Sequence, residues 1–174
     1  SLITEIISPD QFKSIPWKNG KGVTRELAIN QGGTLIDFEW RLSIATVVED
    51  GIFSDFSGYL RNLILISGKG ISLEHSQNPI ASSPAISVVD HLDKLLSFST
   101  FDGACKTEAK LIDGAITDFN LMHDPTKYQA TLETYWHNQS VSLQNFDFCF
   151  IYSLADDVTL SSVDGVDDIV LNPG

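Results

Sequence analysis

The stretch Phe38-Glu39-Trp40-Arg41-Leu42-Ser43-Ile44-Ala45 alternates apolar and polar residues at period two. A helix would scatter the apolar members around its circumference. An extended strand instead lays Phe38, Trp40, Leu42 and Ile44 on one face and Glu39, Arg41 and Ser43 on the other. In a barrel that second face is either solvent or lumen, and alternation alone does not say which. Further strand signals recur along the chain: Leu63–Ser67, Ile71–Glu74, Ile86–Val89, Lys94–Phe101, Ala109–Ile112, Thr117–Met122, Tyr128–Trp136, Phe146–Leu154 and Val158–Ser162. Turn residues separate them at the spacing expected of sandwiches and barrels. Gly68-Lys69-Gly70 reads as the turn of a hairpin joining Leu63–Ser67 to Ile71–Glu74. Helix evidence is confined to one turn at Pro9-Asp10-Gln11-Phe12-Lys13, with Ser8 as a candidate cap. No segment sustains a 3.6-residue apolar period over three turns, so the class is all-β.

A faint internal echo bears on domain organisation. Leu63–Ser67, a turn, then Ile71-Ser72-Leu73 resembles Cys149–Ser153, a turn at 155–157, then Val158-Thr159-Leu160, and each copy precedes a polar loop. The spacing of 86 residues is about half of the 174-residue chain, as two fused barrels would give, and not the 20–50 residues of a solenoid.

Charge narrows the partners. The formal net charge is −12, which disfavours nucleic acid and anionic lipid, both of which select basic surfaces. No apolar run approaches the roughly 20 residues of a membrane span, and the first residues lack the pattern of a secretory signal. Cys105 and Cys149 stand far apart with no CxxC pair, which fits two reduced thiols in the core and a cytoplasmic protein. The charge is unevenly spread: residues 1–61 hold six Lys/Arg against eight Asp/Glu, whereas residues 62–174 hold five against fifteen. All three arginines, Arg25, Arg41 and Arg61, fall in the first segment. Arginine grips carboxylate and phosphate through a planar fork of donors, so a ligand site is expected there. The competing reading is local pairing with acids such as Glu26 and Asp55.

The densest motif is Pro16-Trp17-Lys18-Asn19-Gly20-Lys21-Gly22-Val23-Thr24-Arg25-Glu26. Two glycines in three positions imply unusual dihedrals or a close approach, with Lys18, Asn19, Thr24 and Arg25 supplying donors. Such a loop cradles an anion or is a tight turn with solvated polar residues. It is not a P-loop, because the GxxxxGK[ST] pattern and its following helix are missing. Trp17 is the aromatic placed to wall a pocket, while Trp40 and Phe53 read as core and lid packing.

These residues also carry a family resemblance. Pro16–Leu27, followed by Phe38–Leu73 with its Trp-Arg-x-Ser-x-Ala strand, Gly-x-Phe-Ser-x-Phe-x-Gly turn and Arg-led strand, is similar to the HutD/Ves family of bacterial proteins. A looser match continues through Asp118-Phe119-Asn120-Leu121-Met122. The resemblance implies a bicupin, two cupin-like jelly-roll β-barrels in one chain of 1–174, with halves near 1–100 and 101–174 that can exchange strands. It also implies a link to histidine utilisation and a regulatory role in binding a small acidic metabolite. Lys21 departs from the family, which usually has a third glycine there.

Metal-binding cupins use an HxH pair, a glutamate and a distant histidine. His75, His91, His123 and His137 are scattered, so no metal and no cofactor is expected, and each histidine reads as a surface or loop residue. No GxSxG elbow is present. Glu26 is the one weak candidate for an acid–base residue, and its commoner role is to hold an arginine in place.

The expected function is therefore a non-enzymatic binder of a small anion such as urocanate or an acylated glutamate. Arg41 and Arg61 would hold the carboxylate, Asn19, Thr24 and Arg25 would close the polar end and Trp17 would form an apolar wall, with Lys18, Ser43, Asn120 and Met122 as further ligand-binding candidates. The alternatives are a metal-free isomerase or hydrolase of a small carboxylic acid and a protein-interaction module using the acidic second half. A homodimer fits the habit of cupins.

Overall fold

A computed structural model describes residues 3–77, 86–162 and 168–174. The chain divides into two compact units, Asp10–Leu132 and Ser1–Pro9 with Glu133–Gly174. The larger unit opens near a single 3-10 turn, Pro9–Gln11, at the position expected for the only helical turn. Its described residues then form ten strands: β1 (Lys13–Pro16), β2 (Gly22–Ile29), β3 (Trp40–Val47), β4 (Gly51–Ile52), β5 (Leu60–Ser67), β6 (Ile71–Gln77), β7 (Ile86–Leu92), β8 (Phe98–Asp102), β9 (Lys106–Leu111) and β10 (Ile116–His123). They form a six-stranded sheet in the order β1-β2-β3-β10-β5-β8 and a four-stranded sheet in the order β4-β9-β6-β7. Every pairing is antiparallel. The all-β class holds, but these are two open sheets and not a closed barrel. Strands β8 to β10, which straddle and follow residue 100, are hydrogen-bonded into the same two sheets as the strands before it.

Among the described residues of the smaller unit, β11 (Val158–Leu160) pairs with β12 (Ile169–Leu171) as a ribbon. The expected strands Tyr128–Trp136 and Phe146–Leu154 carry no ladder among the described residues. Phe148 and Phe150, two residues apart in the second run, stack with planes 4° apart, as residues on one face of an extended segment do. The polar loops that follow the two echo copies, at 78–85 and 163–167, lie outside the described residues.

The expected hairpin at Gly68-Lys69-Gly70 is not formed. β5 pairs with β10 and β8, and β6 pairs with β7 and β9, so the turn carries the chain from one sheet to the other. Gly70 has φ +132°, and a Cβ there would lie 2.5 Å from the Leu92 carbonyl oxygen. Both facts demand glycine.

The core joins the two sheets: Val47, Leu63, Leu65, Phe101 and Ile116 from one meet Ile71, Leu73, Leu92 and Ala109 from the other. Neither cysteine belongs to it. Cys105 is half-buried and Cys149 exposed, against the expectation of two core thiols. Among the described residues no helix is long and apolar enough to cross a membrane.

Candidate functional site

Register converts three strand sequences into one graded surface. Met122 of β10 sits between Arg41 of β3 and Arg61 of β5, Asn120 between Ser43 and Leu63, and Asp118 between Ala45 and Leu65. Ile116 closes the series opposite Val47. Because side chains alternate faces, Arg41-Ser43-Ala45-Val47 and Arg61-Leu63-Leu65 project to the same side as Met122-Asn120-Asp118-Ile116. That side is polar at one end and apolar core at the other. The apolar end packs onto the second sheet, and the polar end faces a cavity of about 490 Å³.

The cavity is lined by Arg41, Ser43, Ala45, Arg61, Leu63, Asp118, Asn120 and Met122 from these three strands, by Trp17, Lys18, Asn19 and Thr24 from β1, β2 and their connection, and by Phe53, Ser54 and Phe56 beyond β4. The question that alternation left open is thereby answered: the Arg41/Ser43 face of the strand lines the cavity, and Trp40, Leu42 and Ile44 point the other way. Of the residues singled out from sequence, Trp17, Lys18, Asn19, Thr24, Arg41, Ser43, Arg61, Asn120 and Met122 are brought together here. Arg25 is not. It lies on the opposite face of β2 from Thr24, with its guanidinium over the Phe12 ring at 5.7 Å.

The glycine-rich motif is the tight connection between β1 and β2. Trp17 N–H donates to the Gly22 carbonyl (2.9 Å) and Gly20 N–H to the Trp17 carbonyl (3.1 Å), while the indole Nε1–H donates to Thr24 Oγ1 (2.7 Å). Gly20, at φ +74°, makes the turn. Gly22 permits close packing: a Cβ there would meet the Thr46 carbonyl at 2.5 Å and the Trp17 ring at 2.9 Å. Lys21 takes the place of a family glycine without a left-handed backbone. Its N–H donates to Asn19 Oδ1 (3.0 Å) and its Nζ reaches the Asp50 carbonyl (3.0 Å). Substitution Gly22→Ala is expected to cost roughly 1–3 kcal/mol through overpacking against backbone, read as a lowered urea midpoint with unchanged slope.

The two cavity arginines differ. Arg41 Nε–H donates to Glu26 Oε1 at 2.9 Å, so Glu26 holds an arginine and does not itself line the cavity. Arg61 is buried, and its guanidinium lies within a ring of aromatic faces: Phe53 at 5.5 Å, Phe56 at 5.2 Å and Phe101 at 5.0 Å. A terminal nitrogen makes a long 3.5 Å contact with the Ser54 carbonyl, and the buried Nε has no partner among the described residues. Burial, aided by the Arg41 charge, pulls its pKa down to about 10.

Asp118 was visible in sequence only as the first letter of the Asp-x-Asn-x-Met run. The signal that identifies it is the same alternation that places Asn120 and Met122 in the lining. Its Oδ1 accepts from Asn120 Nδ2, and its Oδ2, like Asn120 Oδ1, is buried without a partner. Burial pushes its pKa up to about 7, against the opposing pull of the Asn120 bond and the Arg61 charge.

Two histidines depart from expectation. His75 is buried in β6 and stacks on Phe101 with ring centres 4.2 Å apart. Its Nδ1 meets Thr107 Oγ1 (2.9 Å), and its Nε2 meets Ser99 Oγ (3.0 Å) and Asp90 Oδ2 (3.2 Å). It braces the ring beneath Arg61, and burial holds it below the ordinary imidazole pKa. His123, at the end of β10, is also buried. Among the described residues no group of three or more His, Cys, Asp or Glu is placed to hold a metal ion.

Comparison with known proteins bears on the family and the fold. The HutD family model matches residues 9–173. An uncharacterised 21.2 kDa protein in the hutC 3' region of Pseudomonas putida is 37% identical over 131 residues, which cover 74% of this chain and 63% of that protein. Protein Ves of Escherichia fergusonii is 35% identical over 107 residues, 61% of this chain and 50% of Ves. Among solved structures, a conserved protein of unknown function from Pseudomonas aeruginosa superposes with TM-score 0.58 at 37% identity, covering 69% of this chain and 57% of that one. HutD from Pseudomonas fluorescens does so with TM-score 0.53 at 35% identity, covering 67% and 58%. An iron(II) HppE, 10% identical with TM-score 0.51, shares the fold alone. The chain thus spans only about half to three-fifths of the length of these relatives.

Proposed function

The chain belongs to the HutD family, and from that premise we propose that its 10–132 unit is a cytoplasmic, regulatory binder of a small anionic metabolite in the cavity on the inner face of β3, β10 and β5. The ligand class is a carboxylate such as urocanate or an acylated glutamate. The gene neighbourhood in the name of the Pseudomonas putida relative supports the link to histidine utilisation. One observation carries the reading: Arg61 is a buried cation whose Nε has no partner, set among aromatic faces at the polar end of a cavity. A protein does not ordinarily leave a buried charged donor unpaired unless a ligand completes it. Arg41, fixed by Glu26, adds a second guanidinium two strands away, and Trp17, Phe53 and Phe56 offer apolar walls to the ligand body.

A thermal-shift screen of small carboxylates against their uncharged amides tests this. A carboxylate at about 100 times its Kd should add roughly 2.7 kcal/mol of stability, and its amide should add almost none. Equal shifts for acid and amide would remove the anion from the proposal.

An acid–base enzyme acting on such an acid is the second reading, and Asp118 rather than Glu26 is the observation behind it. A cavity carboxyl with a pKa near 7 suits proton transfer at neutral pH. Turnover of a bound acid, lost in Asp118→Asn with binding retained, would put this reading first. The bicupin architecture belongs to the same proposal, with Glu133–Gly174 contributing to a second cupin-like barrel. A crystal structure in which those residues close into a barrel supports that part, and an isolated ribbon removes it.

A further inference from the structure

Asp118 is the cavity group that anion binding leaves without a role. It is 1% exposed, one carboxyl oxygen is taken by Asn120 and the other has no partner. Among the described residues its carboxyl makes no ion pair, since the three present join Arg41 to Glu26, His75 to Asp90 and Lys127 to Glu39. Arg61 is the cation whose field favours its ionised form, and Arg61 lies on the strand beside β10, two rows along on the same face, with the Asn120 and Leu63 row between them, and both line the one cavity. An anion seated on Arg61 therefore enters a cavity that already holds a buried carboxyl group in the field of that cation. Two carboxylates in one cavity, in the field of one buried cation, cannot both ionise at low cost, and the less solvated one takes a proton.

We infer that the cavity binds its anion together with a proton, which is taken from solvent onto Asp118 Oδ2. This rests on the anion-binding reading of the same cavity. No bond of the ligand breaks; the step forms one O–H bond on Asp118, and the proton cancels one negative charge of the ligand, the whole of it for a monoanion such as formate. Protonation also changes the recognition chemistry. Oδ2 turns from acceptor to donor, so the anion meets Asp118 Oδ2–H as well as Arg61 Nε–H, while Asn120 Oδ1 stays an acceptor for any N–H the ligand carries.

The other charged or titratable groups around the site are Arg61 on β5, Arg41 on β3 with Glu26 on β2, Lys18 at the β1–β2 connection, His75 on β6 behind Phe101, and His123 on β10 itself. Arg41 and Glu26 already satisfy each other. Burial holds both histidines below the ordinary imidazole value, so they charge at lower pH. Asp118, near 7 before ligand arrives, is the group that exchanges a proton around neutrality.

The test is isothermal titration calorimetry of the full chain with N-acetylglutamate and with formate, neither of which titrates between pH 6 and 9. Paired runs in HEPES and Tris separate the heat of proton exchange from that of binding. The expected result is uptake of about half a proton per anion at pH 7, more at pH 8, and affinity that is flat below pH 7 and falls by up to about tenfold per pH unit above it. Asp118→Asn should bind with no proton uptake and no pH slope in that range. Binding by wild type without proton uptake overturns the coupling and leaves the anion site standing. A pH slope that survives in Asp118→Asn overturns the assignment to Asp118. Failure of both anions to bind at any pH overturns the coupling and the anion site together. The wild-type proton count decides the main question even if the variant does not fold.

Discussion

Arg61→Met is expected to lose anion binding by roughly 30-fold or more while melting no lower than wild type. The binding loss follows from removing the charged donor of a buried pair, which typically costs 2–5 kcal/mol. The stability result runs against the usual direction for a buried residue and is the sharper half of the prediction. Arg61 is enclosed, its Nε is unpartnered, and burial has already drawn its pKa down to about 10, so the fold holds a cation it has not fully compensated. The rings of Phe53, Phe56 and Phe101 recover part of that cost through their π faces. They would pack against a methionine equally well, since a thioether sits favourably on aromatic rings. Replacing a poorly compensated buried charge with an apolar side chain of similar length is commonly neutral or stabilising. With the cation gone, Asp118 also loses the field that favours its ionised form and stays neutral at pH 7, so no second buried charge is stranded. Calorimetry with a carboxylate and a thermal melt read the two halves. Binding within threefold of wild type would remove Arg61 from the site, and a large drop in melting temperature would make its guanidinium a structural group.

The sequence disclosed the strands that matter and hid which way they face. Period-two alternation identifies β3 because a strand has two faces, but β3 lies between β2 and β10 and is buried on both of them, with Arg41 at 5% exposure and Leu42 also at 5%. Where neither face meets solvent, polarity cannot tell lumen from exterior. The register rows decide it, by setting Arg41 and Arg61 on either side of Met122. The Gly68-Lys69-Gly70 corner departs from its hairpin expectation for a related reason. Locally it has hairpin chemistry, yet both flanking strands find better partners far away in sequence. The runs at 128–136 and 146–154 have strand composition yet form no strand among the described residues, since β propensity depends on context more than on composition.

The site was legible where chemistry is local and illegible where it depends on burial. Trp17, Lys18, Asn19 and Thr24 stand out because glycines at 20 and 22 force a tight connection around them. Arg25 belongs to the same motif yet faces Phe12, since strand alternation outranks motif membership in deciding where a side chain points. Glu26 was read both as a base and as a brace, and its 2.9 Å contact with Arg41 makes it a brace. Asp118 had the spacing to be found but not the significance. A carboxyl group becomes a sensor of neutral pH only through enclosure and a shared cation, and both are properties of the assembled sheets.

Asp118→Asn should stabilise the protein at pH 8 by on the order of 3 kcal/mol more than at pH 5, as an upper bound. The sign follows from proton binding. The folded state holds the Asp118 proton to about pH 7, whereas the unfolded chain releases it near 3.8. Between those values the folded form binds more protons, so the contribution of this group to stability is fully present below about pH 3.8 and is lost as pH rises through 7. Asparagine is isosteric and keeps an oxygen to accept from Asn120 Nδ2, but it carries no charge to desolvate, so its stability lacks that decline. Every other titrating group is common to both proteins and cancels in the difference. Urea titrations of wild type and variant at pH 5 and pH 8, with matched slopes, give the number directly. A difference that does not change between the two pH values would mean that Asp118 is ionised throughout, and with it the cavity would lose both its proton and its reason to take one up with an anion. A difference that grows with pH would mean that the fold tolerates a destabilising carboxyl at this position, a stability cost of the kind met where function rather than packing sets the residue.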